Sequence, residues 1–428
     1  MKSAFLSVHA VPLDGIYYFE KASELILGKR QVTGSSNPGN VEQLIKRRFE
    51  MKKFCTIISI VIGFTILFTV SAFAADEPIL IGDLSGFTGT YSAMAKMQKD
   101  AVEMAVNEIN EAGGLLGRKV MVIHEDTETS PAIGTRKMEQ LILEKKVDFC
   151  VGAISSAVTL SMMEIAKKYN KILMVNISQS VKITGENKNK QTFRVNANPG
   201  ITSGALCKWM IDNLGKKFYL LTVDYAWGRS TSEQYNKRLG EMGATILDET
   251  FFPLGNKDFA PYFGKIKAAK PDVLFITAAG NDAISAVTQA EQYGIKKTMP
   301  ICGDGSLVSA DILAAEGDAA NGIITADYYS ATLDTPANKA WVAKYENLYG
   351  ASPSKFSVSS YEAVMWLAQA VKKADSVETD KVIAALEGST YSGPQGTKTM
   401  DAETHQTSLT VYMMKIENGQ RKIFAKVD

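Results

Sequence analysis

Two pairs of serines stand where the chain turns out of apolar runs: Ser155 and Ser156 in GAISSAV, and Ser178 and Ser180 in NISQSV. Hydroxyls beside the free amides of a helix N-terminus can hold a carboxylate. Ser155 and Ser156 serve equally as ordinary N-caps, and spacing alone does not decide between the two; Ser178 and Ser180 end the next strand and are expected to lie beside them. Lys182 adds a positive charge at that end or is simply solvated. Tyr91, Tyr225 and Trp227 lie in LSGFTGTYS and DYAWGRS, loops rather than core faces. Aromatics there can wall an apolar ligand or stack on a cation, or can anchor their own loops. Asp304 in GDGS can pair with a ligand ammonium, whereas Asp282 reads as an acidic residue of a first helical turn.

Catalytic motifs are missing. No G-x-S-x-G surrounds Ser155 or Ser156, there is no P-loop, and GDLSGFTG stands where a dinucleotide fingerprint would follow the first strand. Beyond residue 75 the histidines are His124 and His405, neither with a nucleophile or metal partner nearby in sequence. These residues point to non-covalent binding, without cofactor, metal or enzymatic turnover.

The elements that must position these loops alternate. ILIGDL reads as a strand and AKMQKDAVEMAVNEINEAGG as a helix, with Met97, Ala101, Met104, Ala105 and Ile109 on one face and Gly113-Gly114 to end it. KVMVIHED, VDFCVGAI and KILMVNIS continue as strands between helices, one of them opened by Ser130-Pro131. A second series after FRVNANPG has strands FYLLTVD, ATILDETFF, PDVLFITAAG and MPICG. Continuous apolar strands separated by helices imply parallel sheets covered on both faces. Ligands of such sheets gather at the carboxyl ends of strands, so LSGFTGTYS, GAISSAV, NISQSVKIT, DYAWGRS, AAGND and GDGS are the loops of interest. Helices then follow at ANKAWVAKYENLYG, SSYEAVMWLAQAVKKA and DKVIAALEG. A loop, YSGPQGTKT, leads to a hairpin of LTVYMMKIENG and QRKIFAKV.

The start of the chain is a separate matter. From Met51, Lys52 and Lys53 precede an apolar run to Val70 and an A-x-A pattern, which predicts a signal peptide over 51–74 cleaved before Ala75. Residues 1–50 show little period and read as an over-extended N-terminus outside the fold. From Ala75 on, 38 basic residues face 41 acidic ones, a net charge of −3 that argues against a nucleic-acid partner. Cys150, Cys207 and Cys302 are an odd set in core-like surroundings and read as buried free thiols.

Taken in order, IGDLSGFTGTYS, AVEMAVNEINEAGGLLGRKV, GAISSAVTLSMMEIAKKYNKILM, DYAWGRS, KDFAPYFGKIKAAKPDVLFI and SSYEAV resemble the periplasmic solute-binding proteins of ABC transporters, in the branched-chain amino acid (leucine-binding) family. The resemblance runs from Pro78 through essentially the whole remaining chain. It implies a type I periplasmic binding fold: α/β, with two doubly wound parallel-sheet lobes joined by a three-segment hinge. The expected lobes are 77–198 plus 327–397 and 199–326 plus 398–428. By resemblance, Ser155 or Ser156 corresponds to the family's carboxylate-binding serine, and Ser180 falls near a threonine that shares this role. Tyr91 matches an aromatic of the first loop, Tyr225 or Trp227 one of the second lobe, and Asp304 an acid that meets the ammonium of amino acids. Gly280 stands where leucine-binding members have a tyrosine, no cysteine near Cys150 supplies the disulfide of some members, and NISQSVKITGENKNK departs from the usual small-residue run. Relatives with aromatic carboxylates or amides as ligands therefore enter the expectation beside amino-acid binders. The implied partners are such a small molecule and an inner-membrane ABC permease, with the protein a periplasmic monomer. A ligand sensor on the same fold is the alternative.

Overall fold

Ile79–Ser85 (β1) sends alternate side chains to opposite faces of a sheet: Ile79 and Ile81 join one apolar core, Leu80 and Leu84 another. Val120–Asp126 (β2), Phe149–Gly152 (β3), Leu173–Val175 (β4) and Thr192–Arg194 (β5) complete a five-stranded sheet in the order β2-β1-β3-β4-β5, with every pair parallel. Helices Ser92–Glu111 and Lys355–Ala374 cover one face, and Pro131–Leu143 and Ser156–Lys168 the other. The computed structural model describes residues 77–427 together with Gln43, Lys46, Arg47, Phe49, Glu50, Met51, Lys53 and Phe54.

The second sheet follows the same logic. Lys217–Val223 (β6), Thr245–Phe252 (β7), Val273–Thr277 (β8), Ile301–Asp304 (β9) and Ile324–Asp327 (β10) run parallel. Within β6, Tyr219, Leu221 and Val223 enter one core, while Phe218 and Leu220 enter the core on the opposite face. Each buried aliphatic or phenyl side chain contributes about 1.5–3 kcal/mol relative to exposure, so both faces must stay covered. The hairpin Val411–Glu417 (β13) and Gln420–Val427 (β14) adds to the β10 edge antiparallel, giving the seven-stranded order β14-β13-β10-β9-β8-β6-β7.

Several local expectations change. YSGPQGTKT is not a loop but a two-stranded hairpin, Thr390–Gly393 (β11) with Gly396–Thr399 (β12), whose Pro394 and Gln395 make only the turn. The three-residue β5 lies inside what reads in sequence as a separator between series. Met97 is half-buried, and its sulfur accepts the Ser354 hydroxyl at 3.0 Å rather than packing fully into the core. Cys150, Cys207 and Cys302 are buried free thiols, and burial pushes the first two up to about 12. The described residues among 43–54 are helical, against the expectation of little period there, with Lys53 and Glu50 paired one turn apart. The apolar run and A-x-A pattern of 55–75 lie outside the described residues. Among the described residues no helix is long and apolar enough to cross a membrane.

Candidate functional site

A small cavity of ≈ 20 Å³ is lined from both sheets. Tyr91 follows β1, Ile154 follows β3, and Ile177 and Gln179 follow β4. Tyr225 and Trp227 follow β6, Ala279 follows β8, and Ser306 follows β9. Every one of these sits just past the carboxyl end of a parallel strand, where the turn to a helix leaves side chains unpaired with neighbouring strands. Met94 on the first helix and Phe356 complete the wall. Phe356 is seated by a capping box at Ser354, whose hydroxyl accepts from the Phe356 amide at 3.2 Å while Ser357 accepts from the Ser354 amide.

The first-lobe side is held rigidly by its own hydroxyls. Ser178 donates to the Ala153 carbonyl at 2.6 Å and lies 2.6 Å from Thr159 Oγ1, which accepts from the Ala153 amide. Ser156 Oγ accepts from the Ser180 amide at 3.1 Å, tying the two serine loops together. Ser180 Oγ accepts from the Lys182 amide at 3.4 Å and opens a short 3-10 turn, Val181–Ile183. Ser155 is the N-cap of Ser156–Lys168, buried, with φ −72° and ψ 123°, yet its side chain makes no capping bond. Of the four serines, three are engaged within the protein, whereas among the described residues Ser155 Oγ makes no capping bond at its helix N-terminus. Lys182 pairs with Glu186 at the surface, 3.0 Å away.

Arg194, which carries no sequence motif, underlies this wall. It is fully buried, and burial lowers its guanidinium to about 9. It donates at 2.6 Å to the Ser180 carbonyl, to Thr184 Oγ1 and to Gln406 Oε1. Gln406 in turn donates to the Asn196 carbonyl at 2.8 Å, and the segment around it runs beside β5 through an isolated bridge with Arg194.

The second-lobe side is aromatic. Tyr91 donates to the Tyr225 hydroxyl at 2.9 Å, a bond that joins the loop after β1 to the loop after β6 and so spans the two lobes. Burial raises both phenols, which keeps this a bond between neutral groups. Trp227 stands 6.0 Å from Tyr225, ring to ring, and is buried with its Nε1 unpartnered. The Val181 amide donates to Ser230 Oγ at 2.9 Å, a second tie between the lobes. Gly280 makes a third approach: it has φ +56°, and a Cβ placed there would lie 2.4 Å from the Thr90 carbonyl oxygen. Only glycine accommodates that backbone conformation and that contact without strain. Asp282 accepts from the Gly255 amide at 3.0 Å, and burial raises its carboxyl to about 6.

Asp304 is already engaged. Its Oδ1 lies 3.5 Å from Lys355 Nζ and accepts from the Ser306 amide at 2.9 Å. Lys355, only 1% exposed, also stands 3.3 Å from Asp327, whose other oxygen meets Arg421 at 2.5 Å. The structure thus gathers Tyr91, Tyr225 and Trp227 at one cavity; Ser155, Ser156, Ser178 and Ser180 are not among its lining residues but adjoin Ile154, Ile177 and Gln179, which are, and Asp304 sits in a buried ion cluster with Lys355. Gln179, Ala279 and Ser306 belong to strand-end loops that sequence alone marks, but no residue-type signal singles them out. Met94, Phe356, Lys355 and Arg194 come from outside those loops.

A family model described as a periplasmic binding protein matches residues 78–421. A Leu/Ile/Val-binding protein homolog 4 of Brucella abortus is 23% identical over 365 residues, covering 82% of this chain and 87% of that protein. A solved solute binding protein of an ABC transporter from Rhodopseudomonas palustris BisB5, in complex with 3,4-dihydroxy benzoic acid, is 28% identical with a TM-score of 0.77, over 82% of this chain and 98% of the other. A leucine binding protein from Thermotoga maritima has the same fold, with a TM-score of 0.76 at 22% identity over 82% of this chain and 99% of its own.

Proposed function

The chain belongs to the periplasmic binding protein family, and from that premise we propose that it captures a small carboxylate-bearing solute between its lobes and delivers it to an ABC importer in the inner membrane. The observation that carries this reading is the cavity itself, walled by strand-end loops of both sheets and bridged by Tyr91 and Tyr225. A solute held there touches both lobes at once, so binding favours closure by the difference in contact between closed and open forms. The carboxylate lies at Ser155 and the first amides of Ser156–Lys168, with Ser156, Ser178 and Ser180 bracing that end. Tyr91, Tyr225 and Trp227 cover the remainder of the solute. No bond is made or broken in this role.

Two ligand classes are in play, since one similar structure holds a dihydroxylated benzoic acid and another is a leucine binding protein. The lining favours the aromatic acid. Asp304, the acid expected to receive an ammonium group, is occupied by Lys355, and the cavity wall is mostly aromatic and aliphatic. Export through the signal peptide of 51–74 places the protein in the periplasm, acting as a monomer. The proposed lobes keep the boundaries read from sequence, 77–198 with 327–397 and 199–326 with 398–428, apart from the third crossing. What supports moving that crossing from 397 to just beyond Thr407 is the pairing of Gln406 with Arg194 of β5.

The test is thermal unfolding of the purified protein with benzoates, leucine and isoleucine. A ligand at about a hundredfold its dissociation constant adds roughly 2.7 kcal/mol to native stability. A shift with aromatic acids alone is expected. A shift with leucine alone moves the ligand class to amino acids, and silence from all of them rejects a carboxylate ligand.

A further inference from the structure

Two polar atoms of the cavity's lining residues have no hydrogen-bond partner among the described residues. Gln179, after β4, is 5% exposed and its Oε1 is buried without a hydrogen bond. Trp227, in the first turn after β6, is 4% exposed and its indole Nε1–H is buried without an acceptor. Both side chains line the same cavity, one from each lobe. A buried polar group left unpaired costs about 1–3 kcal/mol, so two of them on side chains that line one small space point to a partner supplied from outside the chain.

The chemistry of that partner is constrained. Nε1–H of tryptophan only donates and a carboxamide oxygen only accepts, so the incoming group must accept one hydrogen bond and donate another. Only one small group fits between these side chains as they stand, since the space between the walls is that of roughly one water, and the rest of a solute enters only as the walls part. Finally, that group must be neutral: the lining contains no lysine or arginine, and an uncompensated charge buried among Ile154, Ile177 and Phe356 is expensive. A hydroxyl meets all three conditions. A carboxylate meets only the first half of the first, and its natural place is the Ser155 helix end.

We propose that Gln179 and Trp227 form a hydroxyl-reading pair, so that the preferred solute is an aromatic carboxylate carrying a ring hydroxyl. This rests on the binding reading above and deepens it: the phenolic oxygen accepts from Trp227 Nε1 and its hydrogen is donated to Gln179 Oε1. The pair spans the lobes, so the hydroxyl is fully satisfied only when they close. Discrimination of this kind is strong because a ligand lacking the hydroxyl leaves both protein atoms unpaired.

The experiment is calorimetric titration of the full chain with benzoate, 3-hydroxybenzoate, 4-hydroxybenzoate and leucine. The better hydroxybenzoate is expected to bind at least about tenfold more tightly than benzoate, the equivalent of about 1.4 kcal/mol. Gln179→Leu and Trp227→Phe are each expected to cut that ratio to below about threefold. Because the ratio is taken within one variant, a general loss of affinity cancels. The two substitutions lie on different lobes, so one reports if the other fails to fold. A ratio near one in the unaltered protein overturns the proposal, as does a ratio that survives both substitutions. Leucine binding without any of the three aromatic acids overturns it while leaving solute capture intact, whereas silence from all four ligands overturns both.

Discussion

The two walls of the cleft are built on opposite principles. On the first lobe, Ser156, Ser178, Ser180, Thr159 and Arg194 engage one another and the local backbone, so the loops are braced before any ligand arrives. On the second lobe, Tyr225 and Trp227 offer broad aromatic faces and have few bonds to their own lobe, while Gly280 offers no side chain at all. The difference separates two tasks. A preorganised wall holds a charged end with little reorganisation at the moment of binding. A smooth, sparsely bonded wall slides into place and reads shape by contact.

Breaking the first wall has the largest expected effect. Arg194→Met leaves the Ser180 carbonyl, Thr184 and Gln406 without their donor, and we expect a loss of about 3 kcal/mol or more in unfolding free energy, measured by denaturant titration. A loss under about 1 kcal/mol would mean that the bracing is not what holds this wall.

Next comes a pH effect on the second wall. Burial lifts Asp282 to about 6, so the folded chain keeps a proton that the unfolded chain releases at the ordinary carboxylate pKa near 4. The contribution of this group to stability is therefore full at low pH, falls as pH rises from about 4 to about 6, and is flat above. Asp282→Asn should remove about 2 kcal/mol of that decline. Unfolding curves at pH 4 and pH 8 for both proteins check this, and identical declines would place Asp282 in an ordinary environment.

Gly280→Ala sharpens the comparison directly, because it alters only how closely the second wall approaches the first. The left-handed backbone adds about 1–2 kcal/mol of strain, and the new methyl meets the Thr90 carbonyl. Ligand affinity should fall about tenfold. Unchanged affinity would show that the approach to Thr90 is not needed for closure. The smallest effect is expected from Tyr225→Phe, which deletes the bond to Tyr91 while keeping the ring. About 1 kcal/mol or less is at stake, seen as a severalfold weaker affinity with little change in unfolding. A large change in unfolding would instead make this contact a structural strut.

The fold was legible because its signals are local and redundant. Apolar runs such as FYLLTVD and PDVLFITAAG, spaced by amphipathic segments, leave few architectures that bury them. β5 escaped because three residues carry too little pattern, and the hairpin at 390–399 was hidden by the glycines and proline that also mark irregular loops. The site was half legible. Strand-end loops could be marked, and Tyr91, Tyr225 and Trp227 stood out as aromatics read into loops. Yet Tyr91 and Trp227 are buried in an apolar core with Tyr225 packed against it, and Trp227 lies inside the helix Ala226–Glu241, because these turns fold back onto the core that sequence spacing does not reveal. Arg194 and Lys355 did not stand out, because both residue types are ordinarily exposed, and only burial against specific acceptors distinguishes these two.

What the sequence by itself determined is therefore the layered α/β frame, the loops at its strand ends, and a residue inventory suited to binding. What only the tertiary structure decided is which side chains remain available. Among the described residues, Ser155 makes no side-chain capping bond, and Gln179 Oε1 and Trp227 Nε1 have no hydrogen-bond partner. Ser178 and Asp304 are engaged because Ala153 and Lys355, distant in sequence, arrive beside them. Hydrogen bonds and ion pairs saturate over about 3 Å, so their allocation is fixed by contacts between segments and leaves no trace in the spacing of residues along the chain.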